Sequence, residues 1–258
     1  MQSNTAERGH VLLIAGDAAR HRREVQLHPS ANLAALSVLS PSTLIGSRIP
    51  TDVVYLDGVR DQNTLLVWLR AAAAVRGPVL IYLSGRLTTD HRSHQLHLAT
   101  TSTSALNSRY TALPWEWIHN ELRNRPPGRT TLLLDLVADK AAWTRLQGGL
   151  PPVNADTFGI ISPPNRPGAN GASPYTQNLV EQFQKNPERS SNAQLHALAV
   201  TAAAPSAEIF VLSEGPHIQS TSGPMMTNAQ RILTGDVSLL ASRRTLSESA
   251  GDGQAKRL

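Results

Sequence analysis

Short apolar runs alternate along the first 212 residues with segments whose apolar positions recur at helical spacing. The apolar runs are continuous, which is typical of strands that helices cover on both faces. A segment of alternating polar and apolar residues over 94–99 favours a short hairpin strand, and a last apolar run over 209–212 favours one additional strand. The long runs predict strands at residues 10–15, 52–56, 79–83, 130–136 and 158–161.

Helical patterns lie between the predicted strands, and several of them begin at capping residues. Ser30, Asp61 and Ser173 each precede an apolar-periodic segment, and Pro174 follows Ser173 at a position that favours a first helical turn. Pro41 is expected to end the first helix. The predicted helices cover 31–39, 62–76, the segment opened by Leu113-Pro114 and ended by Arg125, 139–147, the segment from Ser173 through Phe183, and 193–203.

The alternation of strands and helices predicts an α/β fold. We expect a three-layer αβα sandwich with a mostly parallel central sheet. Residues 9–212 form the predicted domain, and residues 1–8 are expected to be a flexible N-terminus. Residues 213–258 are rich in Ser, Thr, Gly and Asn, so we expect a polar, disordered C-terminal tail.

The composition excludes several kinds of site and one kind of catalytic nucleophile. The 258 residues contain no cysteine, which excludes a disulfide framework, a zinc–thiolate site and a cysteine nucleophile within this chain. The net charge is +5, but the arginines are scattered, so nucleic acid is not an expected partner. The one dense cluster, residues 20–23, favours a solvated loop over a phosphate-binding patch. No secretory signal and no apolar run of about 18 residues is visible, so we expect a cytoplasmic protein without a membrane partner.

Common cofactor and nucleophile motifs are missing. The sequence has no phosphate-binding loop, no dinucleotide-binding glycine pattern and no G-x-S-x-G elbow, so no cofactor is predicted. His91, His94 and His97 form an H-x-x-H-x-x-H series that could suggest a metal site. We instead expect exposed loop and strand histidines, because an alternating strand points residues three apart to opposite faces.

Two strand ends carry polar residues where an open parallel sheet places its chemistry. The third strand ends in Ser84-Gly85-Arg86-Leu87, and the fourth contains Asp135-Leu136-Val137-Ala138-Asp139. At these residues the chain resembles the caspase-like cysteine peptidases, nearest to their bacterial metacaspase-like branch. In that family the third strand ends in Ser-Gly-His-Gly, whose histidine is the general base. The fourth ends in Asp-x-Cys-x-Ser-Gly, whose cysteine is the nucleophile.

The resemblance extends over about residues 9–212 through the order of the elements. The family's first strand, its glycine–aspartate turn and its next helix resemble residues 12–39. The hairpin after the base resembles residues 94–100, and the helix before the nucleophile strand resembles residues 113–122. The later strand and helix resemble residues 159–162 and 173–179, so the resemblance implies a caspase-like topology.

The departures from the family pattern bear on function. Arg86 stands at the position of the histidine and Val137 at that of the cysteine, while Leu87 and Lys140 replace glycines. A guanidinium stays protonated near neutral pH and valine has no nucleophilic atom, so a catalytic dyad is absent. The resemblance therefore implies a pseudo-peptidase.

The leading hypothesis is a catalytically inactive domain that acts as a protein-interaction or regulatory module, with a protein or peptide partner. Its predicted binding residues are Ser84, Arg86, Asp135 and Asp139. The resemblance implies that Asp135 lines a pocket for a basic peptide side chain; the alternative is a pairing of Asp135 with Arg86. A buried arginine needs such a partner, so we expect Arg86 to meet a carboxylate, Asp135 first and Asp139 or Asp90 next.

Two other functions stay open from the sequence. Arg86, together with Arg109, could hold an anion such as a nucleotide phosphate or an acidic peptide, which would make the domain a sensor. Hydrolysis through a different group, Ser84 or His91, is the third hypothesis, although Ser84 more readily satisfies backbone groups at the strand end. The sequence names neither the partner nor the oligomeric state.

Overall fold

The structure, a computed structural model, describes most of the predicted domain. All described residues belong to the unit formed by residues 1–221. Within them, no helix is both long and apolar enough to cross a membrane. The predicted N-terminus through residue 6, the arginine cluster at 20–23 and the predicted tail beyond residue 214 lie outside the description. The described residues are 7–17, 27–90, 92–104, 107–164, 170–186, 191–203 and 210–214.

Five parallel strands form the centre of an eight-stranded sheet with the order β2-β1-β3-β6-β7-β8. The last strand in this order, β8, runs antiparallel to β7, and a short hairpin adds β4 and β5 beside the end of β3. The strands are β1 Gly9–Gly16, β2 Thr51–Asp57, β3 Val79–Thr89, β4 Leu96–Leu98, β5 Leu113–Pro114, β6 Thr130–Ala138, β7 Asp156–Ser162 and β8 Phe210–Glu214.

The helices connect the strands and begin at residues that satisfy their first backbone N–H groups. Asp61 and Ser173 each accept a hydrogen bond from the first turn of the helix that follows, as their sequence positions predicted, and Asp139, predicted as the first residue of its helix, is instead the cap before it. The helices are α1 Pro29–Ser37, α2 Pro41–Ile45, α3 Gln62–Ala74, α4 Ser108–Thr111, α5 Trp115–Leu122, α6 Lys140–Leu146, α7 Pro174–Lys185 and α8 Asn192–Ala203.

Both faces of the sheet are covered, which confirms the predicted α/β sandwich with its mostly parallel sheet. On one face, alternate strand residues such as Leu13, Tyr82 and Leu133 form a core with side chains of α1, α2, α7 and α8. The opposite strand residues, Leu12 and Ile81 among them, are fully buried on the other face, where α3 packs against β1. Burial on both sides explains why these strands read as continuous apolar runs.

Several element boundaries differ from the predicted ones. Helix α1 begins at Pro29, so Ser30 lies inside its first turn and donates to Asp57 at 2.7 Å instead of capping the helix. Pro41 does end the first apolar pattern, but it also opens α2, which Ser40 caps. Leu113 and Pro114 form β5 before α5 begins, and β3 continues to Thr89 because its end pairs with both β4 and β6.

A buried arginine joins three elements at the amino ends of the strands. The Arg125 guanidinium donates to the carbonyl oxygens of Val75, Gly77 (2.8 Å) and Arg129 (3.0 Å), and to the Thr130 hydroxyl at 2.9 Å. These acceptors lie just after α3 and just before β3 and β6. Burial disfavours the charged guanidinium and so lowers the pKa of Arg125. The carbonyl oxygens around it offset this cost by accepting its hydrogen bonds.

We expect Arg125→Met to lower the free energy of unfolding by about 2–4 kcal/mol, because the substitution leaves several buried carbonyl groups without a donor. Urea titration of the full chain measures this loss. The matched control is Arg123→Met, which removes an exposed arginine two residues away and is expected to change stability by less than about 0.5 kcal/mol. Equal losses in the two variants would contradict the assignment.

Candidate functional site at the carboxyl edge of the sheet

The ends of β3 and β6 lie side by side, as the sequence motifs required. The parallel register sets Ser84 opposite Asp135 and Arg86 opposite Val137. Residues that are opposite each other in a parallel ladder point to the same face of the sheet. Arg86 and Val137 are therefore neighbours at the carboxyl edge, in the positions that the resemblance gives to a general base and a nucleophile.

Arg86 meets a carboxylate, and the ion pair seen among the described residues is with Asp17, where Asp135 was expected first. The Arg86 side chain is 3% exposed, and its Nε lies 3.2 Å from Oδ1 of Asp17, the residue that follows β1. The register explains this pairing. Gly16 lies opposite Gly85, so the residues that follow them, Asp17 and Arg86, are brought alongside each other. Asp135, the partner first expected, is occupied by donors from two helices. The ion pair compensates a charge that would be costly to bury alone.

Gly85 allows β3 to approach β1 closely, and Gly16 allows Ala99 to approach the end of β1. Gly85 has φ +148°, and a Cβ at this position would overlap the carbonyl group of Gly16. A Cβ at Gly16 would in turn overlap the carbonyl oxygen of Ala99. The glycine of the Ser84-Gly85 motif is thus required by backbone contact alone.

Val137 and its neighbours give this edge an apolar lining. Val137 is 6% exposed, Leu87 is fully buried and Ala138 is fully buried. None of these side chains carries a group that can attack a carbonyl or move a proton.

Asp135 accepts hydrogen bonds from α1 and α7. One carboxylate oxygen receives the Asn32 amide at 3.1 Å, the Thr176 hydroxyl at 2.6 Å and the Ser173 hydroxyl. Asn32 also donates to the Ser84 hydroxyl at 2.8 Å and accepts from the Ser173 backbone N–H at 2.7 Å. Asp135 is 5% exposed, and these three residues supply the donors that a buried carboxylate needs.

A second chain of hydroxyls reaches the same carboxylate through the core. Thr176 uses its only hydroxyl proton toward Asp135, so the Tyr82 hydroxyl, 2.6 Å away, donates to the Thr176 oxygen. Burial, with Asp135 as a nearby negative charge, raises the pKa of Tyr82 well above its ordinary value. The phenol therefore serves as a neutral donor.

The remaining predicted binding residues are also bonded within the fold. Asp139 caps α6 by accepting from the Ala142 N–H at 2.7 Å, and it accepts from the Thr88 hydroxyl at 2.6 Å. Ser84 is 1% exposed and bonds a side chain, Asn32, where a backbone partner was expected. All four predicted residues, Ser84, Arg86, Asp135 and Asp139, thus hold neighbouring elements in place.

Two members of the histidine series, His94 and His97, lie in the described residues, where no cluster of three or more candidate metal ligands occurs. His91 lies outside them. His94 is exposed in the β3–β4 turn with φ +54°. The expectation of an exposed His97 was wrong: it is 2% exposed, because β4 lies between β3 and β5 and places it opposite Thr88. Burial lowers the pKa of His97, and the nearby Asp90 acts in the opposite direction.

A cavity of about 450 Å³ opens at the carboxyl ends of β1 and β2. The Asp17 partner of Arg86 lines one side, and Asp57 lines another. The cavity lining comprises Ala15, Asp17, Leu27, His28, Pro29, Ser30, Ala31, Asp57, Gly58 and Thr101.

The sequence analysis did not predict the roles of Asp17, Asn32 and the hydroxyls of α7. The signal for Asp17 was its place directly after a strand, and the signal for Asn32 was a polar residue within an apolar helical pattern.

Comparison with known proteins shows the fold alone. No family model and no curated protein matches the chain. A crystal structure of a Geobacter sulfurreducens protein from a structural-genomics effort has 12% identity and a TM-score of 0.51, covering 81% of this chain and 98% of its own. Caspase-1 from Spodoptera frugiperda aligns with 13% identity and a TM-score of 0.45, covering 76% and 77%. Its pro form has the same identity and TM-score, covering 83% and 90%. The strand order described above is consistent with the caspase-like topology that the sequence resemblance implied.

We expect Thr176→Val to lower the free energy of unfolding by about 1–3 kcal/mol, because this nearly isosteric change removes one donor to Asp135 and the acceptor of the Tyr82 hydroxyl. Thermal and urea unfolding measure the loss. Thr144→Val is the matched control: Thr144 is exposed on α6 and bonds only the Lys140 carbonyl within that helix. A loss at Thr176 no larger than that at Thr144 would refute the network's stabilising role.

The buried His97 predicts that stability falls with acidification. Its folded-state pKa lies below its unfolded value, so the unfolded chain binds a proton that the folded chain resists. Stability is therefore full above the unfolded pKa, near 6.5, and is lost as the pH falls below it, by at most about 1.4 kcal/mol per pH unit for one histidine. His10 adds to the slope, since burial also lowers its pKa. Urea titrations at several pH values give the free energy of unfolding as a function of pH. Its dependence on pH should be weaker for His97→Gln than for the wild type, and an identical dependence would exclude His97 as a contributor.

Proposed function

We propose that this chain is a catalytically inactive caspase-like domain that binds a protein or peptide partner at the carboxyl edge of its sheet. The observation that carries the proposal is the pairing of Arg86 with Val137 in the β3–β6 register. These are the two positions that the sequence resemblance assigns to the catalytic dyad, and neither side chain can perform the chemistry of the residue it replaces.

Little supports hydrolysis through a different nucleophile in place of the family's cysteine. The chain has no cysteine. The Ser84 hydroxyl is 1% exposed and accepts a hydrogen bond from Asn32, so a substrate carbonyl has no access to it. The Arg86 guanidinium offers only N–H donors and is bound to Asp17, which leaves it unable to act as a general base.

The cavity beside Asp17 supports binding of an extended peptide with a basic side chain. Asp17 and Asp57 both line it, and their carboxylates favour a cationic group over an anionic one. We assign Ser84, Arg86, Asp135 and Asp139 to the framework of this edge, because they hold β1, α1, α6 and α7 around it.

Anion sensing, the alternative function, is less well supported. An anion bound at Arg86 would have to compete with Asp17 for the guanidinium, at a side chain that is 3% exposed. The two carboxylates at the neighbouring cavity would repel it as well. A basic peptide would likewise compete with Arg86 at Asp17, but it meets no charge repulsion there, and Asp57 accepts a neutral hydroxyl, that of Ser30.

Selection from a peptide display library, followed by binding measurements with the full chain, tests the proposal. We expect enriched peptides to carry Arg or Lys and to remain intact after long incubation, as mass spectrometry would show. Asp57→Lys should weaken their binding by about tenfold or more. The control variant Glu181→Lys makes the same charge change on α7, where Glu181 pairs with Lys185 on the surface.

Two results would overturn the proposal. Cleavage of a selected peptide would contradict the loss of catalysis. Failure to select any peptide, or equal weakening by Asp57→Lys and Glu181→Lys, would contradict binding at this edge.

A further inference from the structure

A second cavity, of about 420 Å³, lies on a different part of the domain. It is formed by the β3–β4 turn, α5, the end of α6 and the segment before β7. Its volume falls within the usual range of small-molecule sites, roughly 300–1,000 Å³. The lining residues are Ser93, His94, Gln95, Leu96, Trp115, Glu116, His119, Arg145, Pro151 and Pro152.

The apolar part of this cavity is held in place by hydrogen bonds. Trp115 is 1% exposed, and its Nε1 donates to the Pro151 carbonyl at 2.9 Å. His119 bonds the next carbonyl, that of Pro152, through Nδ1 at 2.9 Å. These two bonds fix the proline wall against α5, so the cavity is formed in the absence of a ligand.

Two opposite charges at the rim lack ion-pair partners within the described part of the chain. Glu116 receives only a long contact from the Gln95 amide, at 3.5 Å, and Arg145 forms no ion pair there. Glu121, five residues farther along α5, is by contrast paired with Arg70 at 2.9 Å.

His119 adds an acceptor beside Glu116. A carbonyl can only accept, so the bond to Pro152 requires a proton on Nδ1. In the neutral ring, Nε2 is then an acceptor. Glu116 and His119 are three residues apart on α5 and lie on the same side of the helix. Together they present acceptors for a cationic group, while Arg145 from α6 presents donors for an anionic one.

We propose that this cavity binds a small zwitterion with an apolar body, of the size and chemistry of an apolar dipeptide. The ammonium group is held by Glu116 and His119, the carboxylate by Arg145, and the side chains rest on Leu96, Trp115 and the two prolines. A ligand with a single charge would leave one of the rim charges unmatched, so the charge pattern favours the zwitterion.

Calorimetric titration of the full chain with leucyl-leucine and its two capped forms tests this assignment. N-acetylation removes the positive charge and C-terminal amidation removes the negative one. We expect each cap to weaken binding by about tenfold. Glu116→Gln should abolish the effect of acetylation and preserve that of amidation, whereas Arg145→Gln should do the reverse. Arg70→Gln and Glu121→Gln, which break an ion pair outside the cavity, are the matched controls and should preserve both effects.

The site is supported if acetylation loses its effect only in Glu116→Gln and amidation loses its effect only in Arg145→Gln. No binding of leucyl-leucine up to about 10 mM, caps without effect, or control variants that behave like the cavity variants would overturn it. Glu116 and Arg145 are both exposed, so their variants are expected to fold; if one does not, the caps on the wild-type chain decide the question.

Discussion

The compensation of the buried Asp135 charge determines the arrangement of the carboxyl edge. A carboxylate that is 5% exposed requires donors, and α1 and α7 supply them through Asn32, Ser173 and Thr176. Ser173 also caps α7, so the start of that helix and the solvation of the charge depend on the same hydroxyl. The two helices are thereby fixed to β6 at the point where the family resemblance places a substrate pocket.

The buried charge of Arg86 is compensated in a similar way. The ion pair between Arg86 and Asp17 joins β3 to β1, where Gly16 and Gly85 already bring the two backbones into contact. Arg86, Asp135 and Asp139 are therefore all used for cohesion between strands and helices. Reactive groups in a hydrolase must remain accessible to substrate, whereas here Arg86 and Val137 are both buried and Arg86 is paired with Asp17. This burial supports the proposal that the edge does not carry out catalysis.

The sequence was most informative where a local pattern determines structure. Continuous apolar runs predicted the five parallel strands, and Asp61 and Ser173 were recognised as caps because capping depends only on the next few residues. The partner of Arg86 could not be predicted in this way, since it depends on which residues of β1 and β3 are in register. His97 was misjudged for the same reason: only the pairing of β4 on both edges buries it.

The complete lack of sulfhydryl groups has a practical consequence for the residue opposite Arg86. A cysteine placed at position 137 would be the sole thiol among 258 residues, at a site that is 6% exposed. Its alkylation rate would report, without interference from any other residue, how often the ends of β3 and β6 open to solvent. The position at which the resemblance places a nucleophile would thus carry a single chemical probe of local opening at this edge.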